Sequence, residues 1–450
     1  MNDSRAAIDW HEIGEQATEL LSRYIRIDTT NPPGGEEAGA LFLRDELARE
    51  GIGSQLYDAG DGRVSLAARL NGDSGGATEG KPLVLLSHID VVPAEEEYWE
   101  VPPFSGSVTD GYIWGRGALD IKGMAIMELL AMVLIKRHGL PLSRDLVFIS
   151  VADEEEGGLK GVRYLQEAAP ELLDAEYVFN EGAYGFSQFM GQHTKLFGVC
   201  SSEKSPCWVK LVVRGEPGHA SVPHTDNSLV KLVRALSRVE EREKVVKLTD
   251  SVEAMLATLK RRGFLPGELD HRDPAVVEAL ASADAHLYAL SHDTVSLTGA
   301  RAGHKHNVIP AKAEATLDCR LLPGTRTEAF IEGLRQIIDD PDVEIVRVLE
   351  HDSGQSSMDT PATRAIAEAI SERYGDEADV LPMLSPGFTD SHAFREAGAQ
   401  AYGFTPVLLT REELGTIHGH NERISVENLR LGTEILFDVV GRLCGNGAWR

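Results

Sequence analysis

The stretch VADEEEGG, residues 151–158, sets Asp153, Glu154, Glu155 and Glu156 directly after an apolar run that begins near Val147. Adjacent carboxylates repel one another, and the end of a buried strand is a costly place for uncompensated charge. Similar groups recur where other apolar runs stop. His88 and Asp90 follow PLVLLS, Asp120 closes GYIWGRGALD, Glu181 follows AEYVFN, and His418 and His420 lie in GTIHGHNERIS ahead of the last helical pattern. Taken singly, each has a plainer reading. A His after a strand is usually a hydrogen-bonded core residue, an acid before a helix is an N-cap, and an acidic run is a solvated loop. Taken together they point to a divalent cation, because solvated caps have no reason to follow buried strands so consistently. His and carboxylates without Cys favour zinc or a similar first-row metal.

Two His and three carboxylates suit two metals about 3.5–4 Å apart with one bridging carboxylate. Each metal then has one His, one terminal carboxylate and the shared bridge, with positions left for water. A further Glu that binds neither metal can take a proton from that water, and Asp90, two residues after His88, can orient the imidazole. Other readings compete. His88-x-Asp90 with the distant His418 imitates the two-His-one-carboxylate pattern of mononuclear non-haem iron enzymes, but that pattern sits on a double-stranded β fold and has no use for Asp120, Glu155 and Glu181. A non-catalytic, metal-stabilised binding protein would leave the extra Glu dispensable.

These groups need elements to hold them. The 450 residues are 42% hydrophobic, enough for two or three domains with sizeable cores. Asp plus Glu number 71 against 44 Lys plus Arg, a formal net charge of -27, which argues against nucleic acid and anionic membrane as partners. The N-terminal stretch MNDSRAAIDWHEIGEQ carries no signal-peptide pattern, and IMELLAMVLI (126–135) is short and contains Glu128, so it reads as a buried helix. Cys200, Cys207, Cys319 and Cys444 form no CxxC pair, which points to a reducing, cytoplasmic setting. GDSGGATEGKP (72–82) reads as a Gly-rich surface loop.

Up to about residue 190, helical and strand patterns alternate, with uniformly apolar strands such as PLVLLSH and DLVFISVA. That pattern predicts an α/β fold with a mixed, mostly parallel sheet sandwiched by helices, and reactive groups at the carboxyl ends of its strands. From about residue 205 the pattern changes to a largely antiparallel sheet with two helices, starting near Asn227 and Glu328, before α/β alternation resumes. The expected organisation is a discontinuous catalytic domain, 1–204 and 355–450, interrupted by an α+β domain, 205–354.

SHIDVVP, WEVPPFSG, GRGALDIKGMA, ADEEEGG, PGHASVP and IHGHNERI, in this order over nearly the whole chain, resemble the signatures of the dinuclear zinc peptidase family that includes aminoacylase, glutamate carboxypeptidase, carnosinase, succinyl-diaminopimelate desuccinylase and acetylornithine deacetylase. The resemblance implies two Zn2+ per chain, with Co2+ or Mn2+ as substitutes. His88, Asp120 (bridging), Glu155, Glu181 and His418 match the metal ligands, Glu154 the general base and Asp90 the acid that orients His88. His420 falls outside the ligand pattern and reads as surface or ligand-supporting. The inserted domain resembles the family's lid and dimerisation domain, which implies a homodimer. There His219 matches an imidazole directed at the substrate carbonyl, and Asn307 and Arg320 match positions implicated in binding the substrate carboxylate, for which Arg is well suited. The activity implied is hydrolysis of an amide bond in a small N-acyl amino acid or dipeptide by a metal-activated water. A dinuclear zinc aminopeptidase is the alternative. One departure stands out: where many members have Thr-Asp-x-Arg, GFTDSHAFR (387–395) has His392 in the Arg place, with Arg395 three residues on.

Overall fold

A computed structural model describes residues 8–72 and 80–445. Most of the Gly-rich stretch 72–82, expected as a surface loop, and the first seven residues lie outside the described residues. The chain forms two compact units, one built from residues up to Ser201, Ser356–Met383 and from Thr389 onward, the other from Ser202–Gln355 with Leu384–Phe388.

The centre of the first unit is parallel. Leu83–His88 pairs with Leu146–Val151 on one side and with Tyr177–Asn180 on the other, and Tyr177–Asn180 pairs with Gln400–Gly403. Val64–Leu70 and Ser54–Asp58 extend one edge in antiparallel fashion. Every residue of Leu83–His88, Leu146–Val151 and Tyr177–Asn180 is buried, which is why these strands are continuous apolar runs and not alternating ones. The period of two still sorts them. Leu85, Phe148 and Phe179 enter one core with the helices Trp10–Ile25, Lys122–Arg137 and Val426–Cys444. Leu86, Ile149 and Val178 enter the other, with Val162–Ala168 and Ser391–Glu396. The expected mixed sheet between helices is therefore the fold found. Lys122–Arg137 is buried from Lys122 through Ile135, Glu128 included, and among the described residues no helix is long and apolar enough to cross a membrane.

The second unit holds a four-stranded antiparallel sheet in the order Thr294–Ala302, Lys312–Leu321, Ser205–Arg214, Val343–Glu350. Alternate residues of Lys312–Leu321 are buried with the helices Ser228–Glu240 and Thr327–Ile338, the two helices expected. Asn227 caps the first by accepting from the backbone N–H groups of Leu229 and Val230. Three further helices, Asp250–Arg261, Pro274–Ala283 and Ala285–Ser291, occupy a stretch for which no element was expected. Their signal was present: Thr249 caps the first, and Val252, Met255, Leu256 and Leu259 are buried at helical spacing behind it.

Candidate metal centre

The parallel strands deliver their groups to one edge. His88 ends its strand, Glu154 and Glu155 follow Val151 after a short bend, and Glu181 follows Asn180 directly. Asp120 arrives from the turn before Lys122–Arg137. It does not cap that helix, whose cap position is Ile121. His418 comes from the loop ahead of Val426–Cys444, with its backbone in the left-handed region at φ 57°.

Asp120 stands between two sets. Its Oδ1 lies 3.1 Å from His88 Nε2, which is also 3.5 Å from Glu181 Oε1. Its Oδ2 lies 3.1 Å from His418 Nε2, which is 3.3 Å from Glu155 Oε2. One oxygen each of Glu154 and Glu181 and a ring nitrogen of His88 all fall within 4.8 Å of one another. The structure thus brings together His88, Asp120, Glu154, Glu155, Glu181 and His418.

Behind them Asp90 does more than face His88. The imidazole Nδ1 lies 2.9 Å from the Asp90 carbonyl oxygen and 3.5 Å from its carboxylate. The same carboxylate accepts the backbone N–H groups of Glu154 and Glu155, each at 3.2 Å, and Asn31 Nδ2 at 2.8 Å. Asp153 is in the left-handed region, φ 69°, and its carboxylate is fully engaged by Arg63, Asn31 and the Lys160 N–H. Arg63 in turn pairs with buried Glu36 at 2.9 Å. Sequence reasoning misses Asn31, Glu36 and Arg63; NPPGGEE (31–37) contains two of them, but nothing in its spacing marks them as partners of Asp90, Arg63 and Asp153. Glu156 is exposed, and so is His420, whose Nε2 lies 3.1 Å from Glu95 Oε2 while its ring stacks on Tyr98.

His392, in the place of the family Arg, is buried. Its Nδ1 lies 2.8 Å from the Thr389 carbonyl oxygen, and burial pushes its pKa down to about 4, so the ring is neutral near pH 7. Arg395 donates to the carbonyl oxygen of Ala401 at 3.0 Å. In the second unit, Gly218–His219 pairs with Val308–Ile309, which puts the PGHAS and HNVIP segments side by side. His219 and Asn307 are exposed there, and His219 Nδ1 contacts Ser221 Oγ at 2.7 Å. Arg320 donates to Asp318 at 2.7 and 3.1 Å, with its guanidinium 5.4 Å from the Trp208 ring and 5.0 Å from the Phe388 ring.

The electrostatics call for positive charge. Burial, followed by the charge of Glu181, pushes the Glu154 carboxyl well above the ordinary carboxylate range. Burial and the neighbouring Asp120 do the same to Glu181, and burial raises Glu155. Burial also opposes the Asp120 charge, but hydrogen bonds from His418 and His88 outweigh it and hold Asp120 low. Hydrogen bonds to Asp120 and Glu155 lift His418 to about 10. Four acids thus compete for two imidazoles in one pocket, and Glu155 Oε1 is buried with no hydrogen-bond partner. Divalent cations bound by His and carboxylate oxygens fit this donor set.

Residues 84–442 match the sequence profile of peptidase family M20/M25/M40. The chain belongs to this family. Relatives of this M20-family chain include human N-fatty-acyl-amino acid synthase/hydrolase PM20D1, 30% identical over 372 residues that cover 80% of this chain and 74% of that protein. Aminoacylase-1 of Sus scrofa is 28% identical, with 94% of each chain covered. Among solved structures, the M20 family metallo-carboxypeptidase Sso-CP2 of Sulfolobus solfataricus has a TM-score of 0.73 at 20% identity, covering 94% of this chain and 98% of that one. The YXEP protein of Bacillus subtilis, a dinuclear metal binding peptidase of the M20 family, has a TM-score of 0.59 at 16% identity, covering 96% and 98%. As an M20-family member the chain is a metal-dependent hydrolase acting on amide bonds.

Proposed function

We propose that this chain hydrolyses the amide bond of small N-acyl amino acids, with dipeptides as the second substrate class. The observation that carries the reading is Asp120, whose two oxygens face two separate His–carboxylate pairs, with Glu154 alongside. His88, Asp120 and Glu181 would hold one cation and His418, Asp120 and Glu155 the other. Two zinc ions, or cobalt or manganese in their place, would when bound supply Lewis acidity to the substrate carbonyl and lower the pKa of water towards about 7. Glu154 takes the proton of the attacking water and later delivers it to the leaving amine. Glu154 lies within 4.8 Å of His88 and Glu181 without belonging to either proposed ligand set, which leaves its carboxylate available for that transfer. Asp90 keeps His88 in one orientation and fixes the backbone on which Glu154 and Glu155 sit.

Acyl amino acids are preferred over dipeptides because PM20D1 and aminoacylase-1, both named for acyl-amino-acid chemistry, are 28–30% identical over most of the chain. The structure of human carnosine dipeptidase 1 is 16% identical. On the resemblance of their motifs, His219 is assigned to the carbonyl oxygen and Asn307 and Arg320 to the substrate carboxylate. A homodimer through the inserted unit is proposed on the same footing. The four buried cysteines, with no CxxC pair among them, support a reducing, cytoplasmic setting.

A hydrolysis screen of N-acyl amino acids and dipeptides with Zn2+, Co2+ and Mn2+ tests the reading, run beside Glu154→Gln. Turnover should depend on metal, and the variant should retain two metals per chain while losing about 10²–10⁴-fold in kcat. Normal turnover by Glu154→Gln would remove it as the base, and metal-independent hydrolysis would remove the whole reading.

A further inference from the structure

Glu422 and Arg116 bind neither a proposed cation nor the proposed base, yet they are among the most buried charged residues of the chain, at 0% and 2% exposure. The Glu422 carboxylate accepts four donors. Arg116 Nη1 reaches it at 2.6 Å, and the backbone N–H groups of Gly117, Leu119 and Asp120 reach it at 3.0, 2.8 and 3.0 Å. One of those donors belongs to Asp120 itself, the residue shared between the two cation sets. The second arm of Arg116, Nη2, donates to the Gly419 carbonyl oxygen at 2.8 Å, one residue after His418. The two loops are also joined by the pairing of Arg423–Ser425 with Tyr112–Trp114 and by the Gly115 N–H bond to the Glu422 carbonyl oxygen.

We propose that the buried Arg116–Glu422 pair is a positioning clamp that sets Asp120 and His418 in common register, and so governs the affinity of the cation held by His418, Asp120 and Glu155. The inference rests on the two-cation reading above. His88 and Glu181 sit at or directly after strand ends and are held by the sheet. His418 has a half-exposed side chain, 51%, on a loop, so its own packing does not fix it. Its main chain is fixed through Gly419, and its partner Asp120 through Glu422. The planar fork of Arg serves both loops at once, which an ammonium cannot do.

Titration with Co2+, followed by visible absorption and by equilibrium dialysis, separates the two cations without using activity. Wild-type chain should bind two Co2+; if it binds none, the two-cation reading fails and the clamp with it. In Glu422→Gln, with folding checked by circular dichroism, the Co2+ that His418→Ala also weakens should bind about 10–100-fold more weakly while the other changes much less. Should Glu422→Gln not fold, Arg116→Lys, which keeps the charge but not the fork, is expected to show the same selective loss. Two Co2+ bound with wild-type affinity by either folded variant, or a loss confined to the Co2+ that His418→Ala leaves unchanged, would overturn the clamp while leaving the two-cation reading intact.

Discussion

The cation edge of the first unit and the second unit hold their proposed functional residues in opposite ways. Along this edge, side chains are backed by others that are themselves buried and bonded: Asp90 behind His88 and the Glu154–Glu155 backbone, Arg63 and Glu36 behind Asp153, and, on the turn, Glu422 behind Asp120. In the second unit His219 and Asn307 are exposed, held by a two-residue strand pair, and Arg320 is already matched with Asp318. The difference is one of rigidity. A site that must place cations within tenths of an ångström is backed by buried, bonded groups, whereas His219 and Asn307, proposed to meet varied substrates, lie on exposed segments.

If that contrast is right, the largest effect comes from breaking the backing network. Arg63→Met leaves Glu36 and Asp153 buried without their cation, which should lower unfolding free energy by about 3–5 kcal/mol in urea denaturation. A loss below about 1 kcal/mol would mean that the strand-end edge is no more rigid than a surface. His392 gives the next effect, and it is pH-dependent. Its folded pKa is about 4 because of burial, against about 6.5 unfolded, so the neutral ring contributes stability above pH 6.5 that is lost as pH falls towards 4. Each tenfold change in proton affinity is worth about 1.4 kcal/mol, so the loss is ~3 kcal/mol, and His392→Asn should remove that part of the acid limb from a stability–pH curve. An unchanged limb would place the acid sensitivity elsewhere.

The same contrast explains what can be read from the sequence. Leu83–His88 and Leu146–Val151 are legible because strands buried on both faces are apolar throughout, and an acid or His at the end of such a run is conspicuous. Asp120, Glu155, Glu181 and His418 can be assigned to roles only through motif resemblance, since spacing alone gives a set of candidates and no pairing. Arg63, Glu36, Asn31 and Glu422 are not legible at all. Each is a single polar residue whose partner lies beyond any local period: Asn31 bonds Asp90, 59 positions away, Arg63 bonds Asp153, 90 away, and Glu422 bonds the Asp120 N–H, 302 away. In sequence Asp153 is no more than a flanking acid, whereas its left-handed backbone and its Arg63 partner make it the hinge of the turn that presents Glu154. The helices Asp250–Arg261, Pro274–Ala283 and Ala285–Ser291 carry a readable apolar period but no chemistry to attract attention.

In the second unit the expected effects are smaller and purely kinetic. His219→Ala should lower kcat by about 10²-fold, the lower end for loss of one oxyanion donor, with metal content and unfolding midpoint unchanged because the side chain is exposed. A shift in metal content instead would mean that His219 belongs with the rigid site.

Arg320 sharpens the comparison furthest, although its effect is the smallest. Its Nε and Nη2 are committed to Asp318, and its guanidinium lies over the Trp208 and Phe388 rings. Only the remaining donors are open to a substrate carboxylate, so the arginine can be oriented by its neighbours and still contribute a single charge-assisted bond. Arg320→Lys keeps the charge but loses the flat stacking and the two-point bond to Asp318. KM for an N-acyl amino acid should therefore rise by about tenfold, the lower end for one hydrogen bond to a charged group, with kcat unchanged. A rise of several hundredfold would mean that the substrate displaces Asp318 and takes the whole fork. Arg320 would then be a two-point anchor, as preorganised as the strand-end ligands, and the division between a rigid cation site and adaptable substrate-binding groups would no longer hold at that position.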